Sequence, residues 1–326
     1  MQTNLIVSII VALSLVLCPV AALTGGETKT VATVTEDAVY GYENDTISVM
    51  SSSDGKINNI DMREYLTGCV AAEMPANYHT EALKAQAVAS YTYAKKTLEK
   101  NKKEKNSVLG GADISDSPDT HQGYINQDER KEKWGEKYEE YEKKISAAVD
   151  EAYGSFLTYN GETALAVYHS ISAGATQSAE SLWNVEIPYL ISVESVGDKL
   201  SPDYISVNKF SGKEFEKLCK KCGVNTDKSE KNLVEKTEKD DDGYVLSVTV
   251  AGKEIAATKF REVFSLKSNC FEIEYDNGEY TITCKGHGHG AGMSQYGADY
   301  MARQGFSWRE ILNHYYPGTD ISCENG

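Results

Sequence analysis

The spacing of apolar residues predicts two amphipathic helices early in the polar part of the chain. Between residues 61 and 74 the apolar positions recur every three or four residues, at Met62, Tyr65, Leu66, Cys69 and Val70, a period typical of a helix with one buried face. Asp61 is suited to cap this helix, and Pro75 disfavours helical backbone at Met74, so we expect the helix to end there. A second helix is predicted to have Thr80 as its cap, and its apolar face comprises Leu83, Ala87, Tyr91, Ala94 and Leu98.

Two alternating segments with Asn-Gly at their centres predict β-hairpins. Asn160-Gly161 divides residues 156–170, and we expect the second strand of this hairpin to deliver His169, Ser170 and Ser172 at its end. Asn277-Gly278 divides residues 270–284, and this register pairs Phe271, Ile273 and Tyr275 with Cys284, Ile282 and Tyr280. The same register puts Cys270 on the opposite face from Cys284, which disfavours a disulfide between them. Helices and hairpins together predict an α+β fold, with two subdomains of mixed helices and antiparallel β-hairpins and a cleft between them.

The distribution of polar residues divides the chain into four parts. The first, residues 1–23, carries an apolar run from Leu5 to Leu23. That run is close to the roughly 20 residues that span a bilayer and longer than the apolar stretch of about 7–15 in a signal peptide. We favour a single-pass anchor in the cell membrane with the folded domain outside the cytoplasm; the alternative is a cleaved signal peptide and secretion to the cell wall. The other parts are a linker (24–56), a core (57–195 plus 286–323) and an inserted second subdomain (196–285).

The charge balance excludes one class of partner. The chain has 326 residues, with 33 Lys and Arg against 49 Asp and Glu, and a net charge of −16. Because a phosphate backbone requires basic surface, we expect no nucleic acid partner; an uncharged polymer such as a glycan is compatible with this balance. Seven cysteines are too few for a disulfide scaffold. Cys219 and Cys222 have no second pair with which to hold zinc, so we expect neither a metal nor a cofactor.

Glu73 is the carboxylate with the most unusual predicted surroundings. It follows Val70, Cys69, Leu66 and Met62 at helical spacing, so it continues the apolar face of its helix. It also falls in the last turn, where the helix dipole is negative. Burial and the dipole both disfavour the ionised form and raise the pKa, and a protonated carboxyl group near neutral pH is what a general acid requires. The alternative is a glutamate at a frayed helix end that reaches water.

Residues 286–298, GHGHGAGMSQYGA, combine dense glycine with two histidines. Glycine lets the backbone approach a ligand closely and adopt positive φ. His287 and His289 lie two residues apart, but no third metal ligand is suitably spaced nearby. We therefore expect this loop to position a polar substrate; the alternative is a tight turn with half-buried histidines.

Six segments of the sequence resemble the stage II sporulation protein D family. The longest are YLTGCVAAEMPANYHTEALKAQAVASYTYA (65–94) and GHGAGMSQYGADYMARQGFSWREILNHYYPGT (288–319). The others are GADISDSPDTHQGY (111–124), VYHSISAGATQSAESLW (167–183), PYLISVES (188–195) and KFREVFSLKSNCFEI (259–273). Together they extend over most of the chain from about residue 57 to 320. The family comprises membrane-anchored lytic transglycosylases that act on peptidoglycan, with related amidase-enhancer domains.

The resemblance implies roles for individual residues. Glu73, in the EMP motif, takes the place of the family's catalytic acid and base. Positions tied to activity or to substrate binding in the cleft fall on Lys84, His121, His169, Ser170, Ser172, His289, Ser294, Gln295 and Tyr296. Two departures from the family are visible. Tyr91 replaces a frequent arginine, which implies a cleft without that charge, and Ser115 and His121 stand where some members hold zinc with two cysteines, which implies that this metal site is missing.

The resemblance also implies an activity. The expected reaction is non-hydrolytic cleavage of the bond between N-acetylmuramic acid and N-acetylglucosamine, on glycan denuded of stem peptides, to give 1,6-anhydro ends during septal thinning and engulfment in sporulation. The implied partners are a sporulation amidase/endopeptidase and a polytopic membrane protein. Two alternatives stay open. One is a non-catalytic glycan-binding enhancer of a cell-wall amidase, which would not need Glu73; the other is a zinc peptidase, which would need chelator-sensitive activity.

Overall fold

A computed structural model describes residues 45–103, 107–118, 120–225 and 232–324 of the chain. The helices of this part are α1 (Met62–Glu73), α2 (Thr80–Lys103), α3 (Gln127–Trp134), α4 (Tyr138–Ala152), α5 (Ala179–Trp183), α6 (Gly212–Lys221), α7 (Ala257–Phe264), α8 (Gln295–Arg303) and α9 (Trp308–Tyr315). The strands are β1 (Thr46–Met50), β2 (Ile57–Asp61), β3 (Ile114–Ser115), β4 (Ser155–Tyr159), β5 (Glu162–Thr163), β6 (Tyr168–His169), β7 (Ile205–Ser211), β8 (Val234–Lys239), β9 (Val245–Val250), β10 (Lys253–Ala256), β11 (Phe271–Asp276), β12 (Glu279–Lys285), β13 (Met293–Ser294) and β14 (Asp320–Cys323). This combination confirms the predicted α+β class.

The strands form small sheets instead of one large one. The strand orders are β2-β1-β3, β10-β9-β8, β11-β12-β7, β14-β4-β5 and the pair β13-β6. Most neighbours are antiparallel, and the parallel pairs are β1 with β3 and β13 with β6. A parallel pair requires a long connection between its strands, so β6 and β13 bring distant parts of the sequence together.

Helix α1 begins and ends where its sequence predicts. The carboxylate of Asp61 accepts hydrogen bonds from the backbone N–H groups of Arg63 and Glu64, at 2.9 and 3.2 Å, which satisfies two donors that the first turn leaves free. Met74 has extended backbone, with φ −119° and ψ 145°, directly before Pro75. The helix therefore stops at Glu73 and presents that side chain at its C-terminal end.

Helix α2 begins at Thr80, but Thr80 is not its cap. Nδ1 of His79 accepts the backbone N–H of Glu81 at 3.2 Å, so the imidazole does what a capping hydroxyl would do. The prediction of a threonine cap is wrong because the histidine lies one position earlier and has an acceptor of its own.

The helices around α1 and α2 enclose the first apolar cluster. It extends from Ile47 in β1 to Tyr316 beyond α9, and it buries Tyr65, Leu66 and Val70 of α1 almost completely. Each buried side chain of this size contributes roughly 1.5–3 kcal/mol. The C-terminal end of α1, which carries Glu73, is therefore held by a packed interior.

A second apolar cluster is formed between residues 215 and 284. Phe215 and Tyr280 stack with ring centroids 3.7 Å apart, and Phe260 and Phe264 stack at 4.1 Å. Cys219 is buried in this cluster, where it packs as an apolar residue.

The hairpin at residues 271–285 has the predicted register. Phe271, Ile273 and Tyr275 pair with Cys284, Ile282 and Tyr280, and the turn has positive φ at Asn277 (46°) and Gly278 (89°), as a two-residue turn requires. Cys270 and Cys284 are both free thiols.

The hairpin at residues 155–163 has its predicted turn but a shorter second strand. Asn160 and Gly161 have φ of 50° and 79°, whereas β5 ends at Thr163. His169 lies instead in β6, which pairs in parallel with β13. Beyond the hairpin, the carbonyl of Val167 accepts a hydrogen bond from the Tyr316 hydroxyl at 2.7 Å. The expectation that one long strand delivers His169, Ser170 and Ser172 is thus wrong.

The predicted division of the chain into an N-terminal segment, a linker, a core and an inserted subdomain stays a prediction. The segment 1–23 and most of the linker at 24–56 lie outside the described residues, and the described end of that linker includes strand β1. Within the part of the chain that the structure describes, no helix has both the length and the apolar character needed to cross a bilayer.

Candidate active site

A pocket of about 480 Å³ opens beside the C-terminal end of α1. Its walls come from seven separate stretches of sequence. They contribute Glu73 of α1, Tyr93 of α2, the loop residues Pro118, His121 and Gln122, residues 167–170 around β6, Arg261 of α7, residues 287–289 of the glycine-rich loop, and Gln295 of α8. Of the predicted site residues, the pocket therefore brings together Glu73, His121, His169, Ser170, His289 and Gln295.

Both carboxylate oxygens of Glu73 are held by hydrogen bonds. The backbone N–H of Gly123 donates to Oε1 at 2.8 Å, and Nε2 of Gln295 donates to Oε2 at 3.3 Å. Gly123 can come this close because it lacks a side chain: a Cβ at that position would lie 3.1 Å from Oε1. The carboxyl group is half-buried and oriented before any substrate binds.

Opposing effects set the pKa of Glu73, and burial is the largest. Burial raises the pKa above its usual range, while the hydrogen bonds from Gly123 and Gln295 and the charge of Lys133 lower it. Lys133 lies near because its Nζ donates to the carbonyl of Ala71 at 2.7 Å. The net shift is upward, as the position of Glu73 on the apolar face of α1 predicts.

A network of buried amides and hydroxyls supports the pocket from below. Nε2 of Gln295 also donates to Gln86 at 3.3 Å, and Gln86 donates to the hydroxyl of Ser90 at 3.1 Å. The Ser90 and Tyr168 hydroxyls are 3.5 Å apart, and Tyr168 donates to Oε1 of Gln122 at 2.8 Å. Such a network fixes the rotamers of the pocket side chains.

His169 is buried, and one of its ring nitrogens lacks a partner. Nδ1 lies 3.0 Å from the carbonyl of Ala291 and donates to it, whereas Nε2 has no hydrogen-bond partner among the described residues. Burial, followed by the neighbouring His289, lowers the pKa of His169 to about 3. The imidazole is therefore neutral at physiological pH, and its Nε2 is an acceptor.

His289 is fixed through both ring nitrogens. Its Nδ1 accepts the backbone N–H of Ala291 at 3.1 Å, and the ring also bonds to the backbone of Tyr168. Burial lowers its pKa to about 4. The structure thus makes His289 a neutral wall of the pocket. Within the described residues, no group of three His, Cys, Asp or Glu side chains lies close enough to hold a metal ion.

The glycine-rich loop contacts the β6 segment directly. A Cβ at Gly292 would lie 2.0 Å from the carbonyl oxygen of Val167, and one at Gly288 would lie 2.6 Å from Cβ of His169. Both glycines have positive φ, 68° and 118°. The glycine density predicted both the positive φ values and the close approach of this backbone to a neighbouring group. In the structure, that neighbouring group is the backbone and Cβ of the β6 segment, which carries His169.

Two further predicted residues, His121 and Ser170, line the pocket and are only partly buried. Nδ1 of His121 accepts the backbone N–H of Ser115 at 3.4 Å, and burial lowers the pKa of His121. Ser170 is half-buried, and its carbonyl accepts the N–H of Tyr296 at 3.0 Å.

Four predicted binding residues do not line this pocket. Lys84 forms ion pairs with Glu81 (2.9 Å) and with Glu151, while Tyr296 packs edge-on against Tyr78. Ser172 and Ser294 are fully buried. A direct role of these four in binding sugar stays a prediction.

Ser172 and Ser294 meet at one buried carboxylate. The N–H of Ser172 and the hydroxyl of Ser294 donate to Asp198 at 2.9 and 2.8 Å. The Ser294 hydroxyl also caps α8 by accepting the N–H of Gly297. These serines therefore hold in place the segments that carry His169 and Gln295.

Tyr91, which replaces the arginine frequent in the family, does not line the pocket either. Its hydroxyl donates to Glu324 at 2.5 Å, and its ring packs against Tyr153 and Phe156. The expectation that this replacement removes a charge from the cleft stays a prediction.

Several pocket residues have no counterpart in the sequence prediction. Gly123, Gln122 and Tyr168 lie next to predicted residues, and their backbone or amide contacts are tertiary. Arg261 comes from the second apolar cluster. It lies within a segment of family resemblance, but a lone arginine on the short helix α7 has no local feature that distinguishes it.

A family model and several known proteins are similar to this chain. The family model of the stage II sporulation protein (SpoIID) matches residues 51–159. The stage II sporulation protein D of Bacillus amyloliquefaciens is 38% identical over 277 residues, which cover 85% of this chain and 78% of the relative. That of Bacillus subtilis (strain 168) is 38% identical over 281 residues, covering 85% and 79%. A protein of the same strain named amidase enhancer is 27% identical over 311 residues, covering 79% and 40%.

Proposed function

Because this chain belongs to the stage II sporulation protein D family, we propose that it is a peptidoglycan lytic transglycosylase that acts in sporulation. The substrate is the glycan strand, denuded of stem peptides, and the bond cleaved joins N-acetylmuramic acid to N-acetylglucosamine. The observation that carries this proposal is Glu73: a half-buried carboxyl group of raised pKa, oriented by two hydrogen bonds, in the wall of a pocket.

One carboxyl group is sufficient for this chemistry. Protonated Glu73 donates its proton to the glycosidic oxygen, and the bond from that oxygen to C1 of the muramoyl residue breaks. The C6 hydroxyl oxygen of the same residue bonds to C1, and its proton returns to Glu73. The product has a 1,6-anhydro end, no water is consumed, and the enzyme is regenerated. Ordinary glycosidases use two carboxylates because water must be activated or an intermediate formed.

The composition of the pocket agrees with a single acid and base. Among the described residues that line it, Glu73 is the one carboxylate. Burial favours the protonated form needed first, and the donors from Gly123 and Gln295 stabilise the carboxylate needed second. The neutral His169 adds an acceptor, Nε2, that can bind a sugar hydroxyl without competing for the proton.

The test is product analysis on purified glycan. Full-length protein is incubated with peptide-free strands, and anhydro ends are detected by mass spectrometry. We expect products from the wild type and from Glu132→Gln, which removes an exposed carboxylate on α3, and none from Glu73→Gln. Equal product from Glu73→Gln would refute the proposed role of this residue.

A second function is favoured by the relative named amidase enhancer. In this case the pocket binds glycan without cutting it and stimulates a cell-wall amidase. The same samples separate the two functions: binding of glycan by wild type and Glu73→Gln alike, with no anhydro product from either and with stimulated amidase activity, supports the enhancer.

The location and partners complete the proposal. The chain acts outside the cytoplasm, held at the cell membrane by residues 1–23 or released to the wall after their cleavage. A sporulation amidase/endopeptidase prepares the glycan by removing stem peptides, and a polytopic membrane protein is the second partner at the septum during engulfment. Fractionation of sporulating cells with antibody against the chain tests the location.

A further inference from the structure

Arg261 is a half-buried cation in the pocket wall without a carboxylate partner in the described structure. Its Nε donates to the carbonyl of Leu266 at 3.3 Å, and no ion pair of its guanidinium occurs among the described residues. The buried Arg130 shows the contrast, since Glu64 and Glu142 together neutralise it. The chain has 49 acidic residues, yet none of those described pairs with Arg261. Its two Nη groups are therefore available to a ligand in the pocket that Arg261 lines.

The backbone around Arg261 keeps this side chain in place. It lies in the last turn of α7, and its carbonyl accepts the N–H groups of Ser265 and Leu266. The bond from Nε to Leu266 fixes the guanidinium plane from the same side. Burial lowers the pKa of Arg261, yet a guanidinium keeps its charge in proteins. A desolvated charge held rigidly and without a counter-ion is costly, and an anionic ligand would offset that cost.

Three histidines that share the pocket wall with Arg261 have lowered pKa values. After burial, the charge of Arg261 is among the causes that lower the pKa of His169, His287 and His289. This end of the pocket therefore presents one fixed positive charge together with the unpartnered acceptor Nε2 of His169. A ligand complementary to both carries an anion and a neighbouring N–H or O–H donor.

The glycan has one group of this kind. N-acetylmuramic acid bears a lactyl carboxyl group at O3, next to its acetamido N–H at C2, whereas N-acetylglucosamine bears no acid. The lactyl carboxylate is free only where the stem peptide is absent, because the peptide joins there through an amide. An arginine binds a carboxylate with two parallel hydrogen bonds and gains little from a neutral amide.

We propose that Arg261 binds the free lactyl carboxylate of N-acetylmuramic acid and thereby makes the pocket selective for glycan without stem peptides. The assignment rests on the proposed function for its choice of substrate. It concerns recognition and not the cleavage step.

The test compares two forms of one glycan. Peptide-free strands are used with their lactyl carboxylates free, or after coupling to methylamine, which gives neutral amides of similar size. Affinities are measured by calorimetry with the full-length Glu73→Gln protein, so that no cleavage interferes. We expect the free acid to bind about tenfold more tightly than the amide, and added salt to reduce this preference.

Variants assign the preference to one residue. In the Glu73→Gln background, Arg261→Gln should bind both glycans with the affinity that the parent has for the amide. Arg261→Lys, which keeps the charge without the fork of donors, should retain part of the preference. Lys259→Gln on the same helix removes a charge that is paired with Glu262 and should leave the preference unchanged. Thermal melts verify that each variant is folded.

Three results would overturn the assignment: equal affinities of the parent for both glycans, no binding of either, or a preference that survives in Arg261→Gln. The outcome is separable from that of the proposed function. A preference for the acid that depends on Arg261, in a wild type that yields no anhydro ends, would refute the transglycosylase and keep the recognition.

Discussion

Gly123 donates its backbone N–H to Oε1 of Glu73 over 2.8 Å, although the two residues are 50 positions apart in the sequence. The contact places a donor on the carboxyl oxygen without adding a titratable group. It also holds residue 123 close to the end of α1, where a Cβ on that residue would lie only 3.1 Å from Oε1.

Gly123→Ala should therefore reduce activity more than stability. The added methyl group would lie 3.1 Å from Oε1 and 3.4 Å from Cβ of Ala72, so the carboxyl group must move by a few tenths of an ångström or more. We expect the rate of glycan cleavage to fall about tenfold or more. Product formation and a thermal melt on the same sample check this. Unchanged activity would mean that the orientation of Glu73 is not limiting.

Lys133→Met should shift the alkaline limb of the pH–rate profile to higher pH. The charge of Lys133 lowers the pKa of Glu73, so its removal lets the carboxyl group keep its proton to higher pH. Lys131→Met, on the same helix and paired with Asp128, is the matched control and should leave the profile in place. A shift to lower pH in Lys133→Met would contradict this account of the pKa.

Glu73→Gln should stabilise the folded protein above the acid range. The folded-state pKa of Glu73 is raised above the ordinary value of 4.5. Its contribution to stability is therefore complete below the unfolded pKa and is lost as the pH rises through the folded pKa. We expect the variant to melt at higher temperature than the wild type at pH 8, and the difference to vanish near pH 4. A variant that melts lower at pH 8 would show that the carboxylate is not penalised by burial.

Gly292→Ala should destabilise the fold strongly. Its Cβ would lie 2.0 Å from the carbonyl oxygen of Val167, and φ is 68°; we expect a loss of about 2–4 kcal/mol in the free energy of unfolding. Gly252→Ala is the control, because φ is 78° there and nothing lies within 4 Å of the added atom, which leaves about 1 kcal/mol of backbone strain. Denaturant unfolding measures both, and equal losses would exclude the proposed clash.

Tyr91→Phe should spare catalysis. The substitution removes the hydrogen bond to Glu324 and is expected to cost about 1–3 kcal/mol of stability, because the bond joins a charged acceptor. Since the tyrosine lies outside the pocket wall, cleavage of glycan by the folded variant should match that of the wild type. A loss of kcat in a variant that melts normally would place Tyr91 in the reaction after all.

Local sequence determined the parts of this fold that depend on near neighbours. The period of apolar residues placed Glu73 on the buried side of α1, and Asp61 and Pro75 set the ends of that helix. The register at Asn277-Gly278 was readable because a two-residue turn leaves one way to pair the strands. The glycine density at 286–292 indicated the positive φ values that occur there.

The remainder depends on contacts that no window of sequence contains. Gly123 and Gln295 contact Glu73 although they lie 50 and 222 positions away in the sequence. No local pattern around either residue predicts this contact. His169 entered a different strand from the expected one because a parallel pairing with β13 competed with continuation of the hairpin. Arg261 was overlooked because a charged residue near the end of a short helix is ordinarily solvated.

Because β6 pairs with β13, the candidate site cannot form until the C-terminal part of the chain has been made. The acid at residue 73 is made early in synthesis, but the strand that seats His169 and the amide that orients the acid belong to the last segment of the chain. A polypeptide that has been made only as far as residue 292 thus contains Glu73 without β13 and without Gln295. Under the proposed function, cleavage of glycan therefore requires the C-terminal part of the fold, because Gln295 is one of the two donors that orient the proposed acid.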